Sequence, residues 1–179
     1  MSQAGSLSSG SGPSSPGALV LVQTQSATLV TSLPFTTGIT PSFNNYLLVS
    51  NNITDPTFAG ANFGLQISSD GGATYINTGY SSGNTVNITL IPLTGLEAGA
   101  GVPNVASLFS VLLNFTSGVD FVTASGFGTT FVNDVGPAIT TGGGTGGYTI
   151  PNFIVNAFQL VADDGTPFSG TFSLYGLSI

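Results

Sequence analysis

The sequence of 179 residues contains no lysine, arginine, histidine, cysteine or tryptophan. Charged residues make up 4% of the chain, whereas an ordinary domain has about 25%. All seven charges are carboxylates, so the formal net charge is −7 and no salt bridge between side chains can form. The carboxylates are Asp55, Asp70, Glu97, Asp120, Asp134, Asp163 and Asp164.

These absences exclude several classes of function. Without histidine or lysine, no ordinary side chain acts as a base near neutral pH, and neither a Ser-His-Asp nucleophile nor a Schiff base can form. Zinc sites built on cysteine or histidine are excluded as well. We expect no nucleic-acid binding, because phosphates are contacted by lysine and arginine. An enzyme is therefore the least favoured function.

The residues that are present predict an all-β protein. Hydrophobic residues make up 41% of the chain and include 13 phenylalanines. Short β-branched runs alternate with Gly, Asn, Ser and Pro, and no segment keeps a helical period. In residues 62–69, for example, Phe63, Leu65 and Ile67 alternate with smaller or polar residues. We expect roughly eight or nine strands in an antiparallel β-sandwich, with a jelly-roll-like topology preferred.

Low-complexity segments suggest the domain organisation. Residues 1–17, MSQAGSLSSGSGPSSPG, predict a flexible N-terminal arm, and residues 18–179 predict the sandwich domain. Residues 141–147, TGGGTGG, predict a flexible loop. No apolar run approaches the roughly 20 residues of a spanning helix, so membrane insertion is not expected. The first residues also lack the basic and apolar regions of a signal peptide, so a protein that ends up outside the cell would leave by another route, of which lysis is one.

The octet SSDGGATY at residues 68–75 is the most distinctive motif. Its spacing resembles the Asp-box hairpin of sialidases and other sugar-handling proteins. A sialidase also needs an arginine cluster, which this chain lacks, so we interpret the octet as a structural β-hairpin, with a weak glycan contact as the alternative. Asp70 would bond the turn, two glycines would reverse it, Thr74 would begin the return strand and Tyr75 would pack beneath. The hairpin residues are Ser68, Asp70, Gly71, Gly72, Thr74 and Tyr75.

Two adjacent carboxylates, Asp163 and Asp164, precede Gly165. On a turn they form either a solvated corner or a pair of candidate calcium ligands, since hard cations bind carboxylate oxygens. The remaining carboxylates are scattered, so no paired acid site of a glycosidase is indicated. Apart from this candidate calcium site, we expect no cofactor.

Several stretches together resemble a family of virion proteins of tailed bacteriophages. They are FTTGI and YLLV within residues 18–53, the DGG motif within residues 68–80, and SGTFSLYGLSI at residues 169–179. The family consists of small tail-fibre or head-surface proteins with a Gly/Ser-rich arm.

The resemblance implies a β-sandwich that is homo-oligomeric, often trimeric, and displayed on a particle released by lysis. Residues 1–17 would then tether the subunit to a neighbour or to other virion proteins. The loops at residues 94–104 and 139–147 are candidates for contact with host surface glycans. The expected location is the virion, outside the cell.

Two further functions remain open. One is a subunit of an extracellular filament, in which the N-terminal arm adds a strand to the next subunit's sheet. The other is a carbohydrate-binding module without catalysis, in which aromatic side chains stack on neutral sugars.

Overall fold

The described part of the chain is built from antiparallel strands. The computed structural model describes residues 17–40, 42–55, 62–82, 85–95, 104–114, 122–132, 138–148, 154–162 and 165–178. These residues contain no helix, which confirms the predicted all-β class. Accordingly, no helix within these ranges is long and apolar enough to cross a membrane. Residues 1–16 of the predicted arm, and Asp163 and Asp164, lie outside the described residues.

The described residues form twelve strands, more than the eight or nine expected. They are β1 (Leu19–Val30), β2 (Ser32–Phe35), β3 (Phe43–Asp55), β4 (Asn62–Ser68), β5 (Tyr80–Ser82), β6 (Thr85–Ile88), β7 (Ile91–Gly95), β8 (Asn104–Asn114), β9 (Val122–Val132), β10 (Ala138–Tyr148), β11 (Ala157–Ala162) and β12 (Phe168–Ser178). Residues 71–79 form no strand, and β5 begins only at Tyr80.

The strands form two sheets with nested pairings. The large sheet has eight strands in the order β1-β12-β3-β8-β9-β10-β5-β6, and the small sheet has four in the order β2-β11-β4-β7. The first strand pairs with the last, β2 pairs with β11, β3 with β8, and β4 with β7, all antiparallel. The β5–β6 and β9–β10 pairs extend the large sheet beyond β8.

Strand β10 corrects the prediction of a flexible loop at residues 141–147. These residues pair in unbroken register with β9, including Gly142 with Gly128 and Gly144 with Gly126. The strand also lies against β7 of the small sheet. Glycines permit such close approach of two backbones, and the pairing of neighbouring strands overrides their weak strand propensity.

A single core cluster joins the two sheets. The rings of Phe63 in β4 and Phe168 in β12 meet edge to face across the sheets, with centroids 4.9 Å apart. Within the small sheet, Phe35 and Phe158 stack at 4.7 Å. Such aromatic contacts add about 0.5–1.5 kcal/mol to the hydrophobic gain of burial. The side chains predicted to alternate inward on β4 are fully buried, as expected.

Tyr46 at the start of β3 fixes the connection that leads into the strand. Its side chain is fully buried, and its hydroxyl accepts the N–H of Thr40 at 2.8 Å and donates to the carbonyl of Thr40 at 2.9 Å. Burial raises the pKa of Tyr46 despite these hydrogen bonds. The tyrosine therefore stabilises a turn whose backbone groups would otherwise lack these partners.

Gly176 in β12 leaves room for the ring of Phe43. A Cβ atom built on Gly176 would lie 2.5–2.7 Å from three ring carbons of Phe43. Because Phe43 packs against the core cluster, its ring has little freedom to move away. The glycine is thus required by the packing of the ring.

We predict that Gly176→Ala lowers the free energy of unfolding by about 1–3 kcal/mol, the usual cost of overpacking. In a Phe43→Ala background, the same glycine substitution should cost less, because the collision is removed. Urea denaturation of the four proteins of this double-mutant cycle measures the coupling. Equal costs in both backgrounds would contradict the prediction.

Candidate functional site

The octet at residues 68–75 begins at the last residue of β4 and continues into the connection between β4 and β5. These strands belong to different sheets, so they do not pair with each other. The predicted β-hairpin is therefore corrected: the octet is a turn within a connection that crosses from one sheet to the other. Thr74 lies in this connection and does not begin a return strand. One backbone hydrogen bond, from Ile76 N–H to the carbonyl of Ile67 at 3.0 Å, closes the base of the turn.

The carboxylate of Asp70 accepts hydrogen bonds inside its own turn. Its Oδ1 accepts the hydroxyl of Ser68 at 2.7 Å and the N–H of Thr74 at 2.9 Å, and its Oδ2 accepts the hydroxyl of Thr74 at 2.5 Å. Hydrogen bonds from Ser68, and then from Thr74, hold the pKa of Asp70 far below its usual range. Asp70 is consequently ionised at neutral pH, although it is exposed to solvent.

Ser68 bridges the two halves of the turn. While its hydroxyl donates to Asp70, its Oγ accepts the N–H of Asp70 at 3.2 Å and the N–H of Gly72 at 3.0 Å. Ser68 is almost fully buried at the end of β4. Because Ser68 is the last residue of β4, its hydrogen bonds attach the turn to that strand.

The two glycines of the turn differ in their surroundings. Gly71 and Gly72 have φ values of 75° and 89°, in the left-handed region that favours glycine. A Cβ atom on Gly71 would meet nothing within 4 Å, whereas one on Gly72 would lie 2.7 Å from the hydroxyl oxygen of Tyr75 and 2.6 Å from Cγ2 of Thr36. Tyr75 thus lies directly against Gly72.

Asn156, just before β11, is a residue of this site that sequence reasoning missed. Its Oδ1 accepts the N–H of Gly71 at 2.8 Å, and its Nδ2 donates to the carbonyl of Ser69 at 2.9 Å. Its backbone N–H donates to the carbonyl of Ser68 at 3.0 Å. Asn156 therefore anchors the turn to the small sheet. No local signal could have identified it, because it lies 85 residues from Gly71 along the chain.

Tyr80 is a second residue that the sequence did not single out for this role. Its hydroxyl accepts the N–H of Ile67 at 2.9 Å and donates to the carbonyl of Ile76 at 2.8 Å. The side chain is fully buried, and burial is the main cause that raises the pKa of Tyr80 above its usual range. The Tyr80 hydroxyl thus links the remaining N–H of Ile67 to the carbonyl of Ile76. Together with the bond from Ile76 N–H to the carbonyl of Ile67, these hydrogen bonds form a closed ring.

The hydroxyl of Tyr75 differs from that of Tyr80 in its hydrogen bonding. It is buried as well, but it has no hydrogen-bond partner. Burial, and then the negative charge of Asp70, raise the pKa of Tyr75. Its contribution to the turn is therefore the packing of its ring.

The arrangement supports a structural role for the octet. The carboxylate of Asp70 accepts its hydrogen bonds from Ser68 and Thr74 of its own turn. Because these bonds keep the carboxylate ionised, Asp70 is a poor proton donor. Among the described residues, no group of three or more aspartates, glutamates, histidines or cysteines could hold a metal ion. Of the two candidate glycan loops, residues 139–147 lie in β10, and residues 96–103 of the loop predicted at 94–104 lie outside the described ranges.

We predict that Asp70→Asn destabilises the protein at neutral pH and that this effect shrinks in acid. The pKa of Asp70 is lower in the folded than in the unfolded chain, so its stabilisation is present above the unfolded pKa of about 4 and is lost as pH falls toward the folded value. Urea denaturation of both proteins at several pH values measures the difference. For the exposed neighbour Ser69→Ala, the difference from wild type should not change with pH. An Asp70→Asn effect that stays constant into strong acid would disprove the assignment.

We predict that Tyr80→Phe and Tyr75→Phe change the free energy of unfolding differently, although each removes one hydroxyl. Tyr80→Phe leaves the N–H of Ile67 and the carbonyl of Ile76 without this partner, so we expect a loss of about 1–3 kcal/mol in the free energy of unfolding. Tyr75→Phe removes a buried hydroxyl without a partner, so stability should stay the same or rise. Thermal and urea unfolding measure both. Similar losses in the two variants would contradict the hydrogen-bond assignment.

Comparison with known proteins adds no candidate function to this geometry. The sequence matches no model of a protein family and no curated protein.

Proposed function

We propose that this chain is a non-enzymatic structural subunit of a bacteriophage virion, either a tail fibre or a decoration protein on the particle surface. It assembles into a homo-oligomer by packing of its sheets, and residues 1–17 dock on a neighbouring subunit or another virion protein. The order of the strands is the observation that carries the proposal. The sequence resemblance to proteins of tailed bacteriophages is the reason for proposing a phage virion as the particle.

The strand order fits a jelly roll once two hairpins are set aside. Without β5–β6 and β9–β10, the large sheet keeps the order β1-β12-β3-β8 and the small sheet keeps β2-β11-β4-β7. Each sheet then has four strands, and the nested pairs alternate between the sheets along the chain. Eight strands in two sheets with this winding are typical of viral capsid subunits and of lectin domains.

The chemistry of the described residues favours a structural role over catalysis. No side chain of the chain is basic, and the hydrogen bonds of Asp70 are directed into its own turn. The polar residues of the connection stabilise the fold and leave no converging set of reactive groups there. A protein of this kind acts through its shape and its surfaces.

The start of the domain favours docking by the N-terminal residues. The N–H of Gly17 donates to the carbonyl of Ser178 at 2.8 Å, next to the edge strand β1. Gly17, the first described residue, therefore lies at the outer edge of the large sheet. An arm that leaves from a sheet edge is well placed to reach a neighbouring subunit.

A non-catalytic carbohydrate-binding module is the second candidate, because jelly rolls also occur in lectins. A filament subunit is the third, because β1 is an edge strand to which an arm of another copy could add. Electron microscopy of the purified protein separates the candidates. Closed oligomers or short rods support the virion subunit, and long filaments support the third candidate. Binding on a glycan array supports the second.

The decisive test is to look for the chain in phage particles. We predict that particles purified on a density gradient from a lysed culture of the source organism contain it. Detection by mass spectrometry needs a protease that cleaves after aromatic residues, because the chain has no lysine or arginine for trypsin. A variant lacking residues 2–17 should be lost from the particles. Absence of the wild-type chain from every particle fraction would refute the virion role, and normal incorporation of the deletion variant would refute arm docking.

A further inference from the structure

The outer side of the large sheet carries an apolar surface at strands β1, β12 and β3. The alternation of β12 turns Phe172 and Leu174 into the core and leaves Tyr175 and Leu177 on the other side of the sheet. We call this outer surface the β1–β12–β3 face. It consists of Leu19, Leu21, Leu47, Val49, Tyr175 and Leu177.

The register of the strands makes this face continuous. Leu21 lies opposite Tyr175, which in turn lies opposite Leu47, so these three residues form one row across the sheet. In the next row, Leu19 lies opposite Leu177. Leu19 and Leu21 are 54% and 56% exposed, which is high for two leucines on one strand. The other four residues of the face are partly buried. A contiguous apolar surface that remains accessible to solvent marks an interaction site.

The face carries no charge. Along β3, Asp55 lies six residues beyond Val49, the nearest residue of the face, or roughly 20 Å along an extended strand. Asp70 lies in the connection that follows β4 of the small sheet. An approaching partner can therefore cover the face without removing a described carboxylate from water.

We propose that the β1–β12–β3 face is the contact between copies of this chain. The inference rests on the proposed homo-oligomeric function and deepens it by assigning the surface. Two copies each carry a formal charge of −7, and neither has a cationic side chain to pair with the other's carboxylates. Burying an unpaired carboxylate costs several kcal/mol, so copies can associate only through surfaces without carboxylates.

The same charge argument selects a second copy over other partners. A basic protein would gain most by contacting the carboxylates, and none of the six residues of this face is one. A nucleic acid would be repelled by the net charge. A second copy presents the identical apolar surface, and such self-complementary contacts are the common form of symmetric oligomers. Tyr175, at the middle of its row, is the kind of side chain that contributes most to the binding energy of an interface.

The test compares two exposed apolar residues with the same substitution. Leu21→Glu places a carboxylate on the face, whereas Ile154→Glu places one at an equally exposed site before β11, outside the face. We expect the wild type to be oligomeric in sedimentation velocity and Leu21→Glu to self-associate at least about ten-fold more weakly, or 1.4 kcal/mol. Ile154→Glu should behave as wild type. Circular dichroism and thermal unfolding show that each variant is folded.

A neutral pair of variants and the salt dependence sharpen the result. Leu21→Asn should weaken association without adding charge, and Ile154→Asn should not. Added salt should leave wild-type association unchanged or tighten it, because salt screens the repulsion between copies and the face contains no ion pair. Association that weakens with salt would contradict an uncharged contact.

Three outcomes would overturn the proposal. The first is a wild type that stays monomeric at every concentration. The second is a Leu21→Glu variant that is as oligomeric as wild type. The third is a variant lacking residues 2–16 that no longer associates while Leu21→Glu still does, because the arm would then be the contact. These measurements use purified protein, so a result that refutes the proposed contact does not decide whether the chain is present in phage particles. A chain that is absent from particles but loses association in Leu21→Glu refutes only the virion role.

Discussion

The nested pairing of strands from opposite ends of the chain is the constraint on which the rest of the structure depends. β1 pairs with β12 and β2 with β11, so each sheet is complete only after distant segments meet. Closing such long loops costs conformational entropy, and folds dominated by distant pairings form slowly. The contact between Phe63 and Phe168 exists only when both sheets are in place, because each ring comes from a different sheet. The same assembly holds the glycine-rich β10 between β9 and β5.

The lack of any cationic side chain determines how polar groups are satisfied inside this framework. Asp70 cannot form a salt bridge with a side chain, so hydroxyl and backbone N–H groups of its own turn stabilise its charge. Tyr46 and Tyr80 use their hydroxyls to hold connections between strands, each by accepting one backbone N–H and donating to one carbonyl. In both cases a neutral side chain orders a connection that an ion pair could have fixed in a chain of ordinary composition.

The same composition links the fold to the proposed function. A chain with only negative charges is repelled by copies of itself except where its surface is uncharged, and the β1–β12–β3 face is such a surface. The octet that resembled a sugar-handling motif is used to connect the two sheets. The virion subunit is the proposal that unites the protein's strand order, its composition and its sequence resemblance.

The sequence by itself determined the fold class, the inward alternation of Phe63, Leu65 and Ile67, and the exclusion of most catalytic chemistry, because these follow from composition and from a period of two residues. It also indicated a turn at the octet, because Asp and Gly act locally. It did not reveal that β4 and β5 belong to different sheets, and it predicted a loop at residues 141–147 where β10 forms. Only the tertiary structure decided these points, because strand pairing depends on residues far apart in the chain. The same holds for the anchoring of the turn by Asn156 and for the row formed by Leu21, Tyr175 and Leu47.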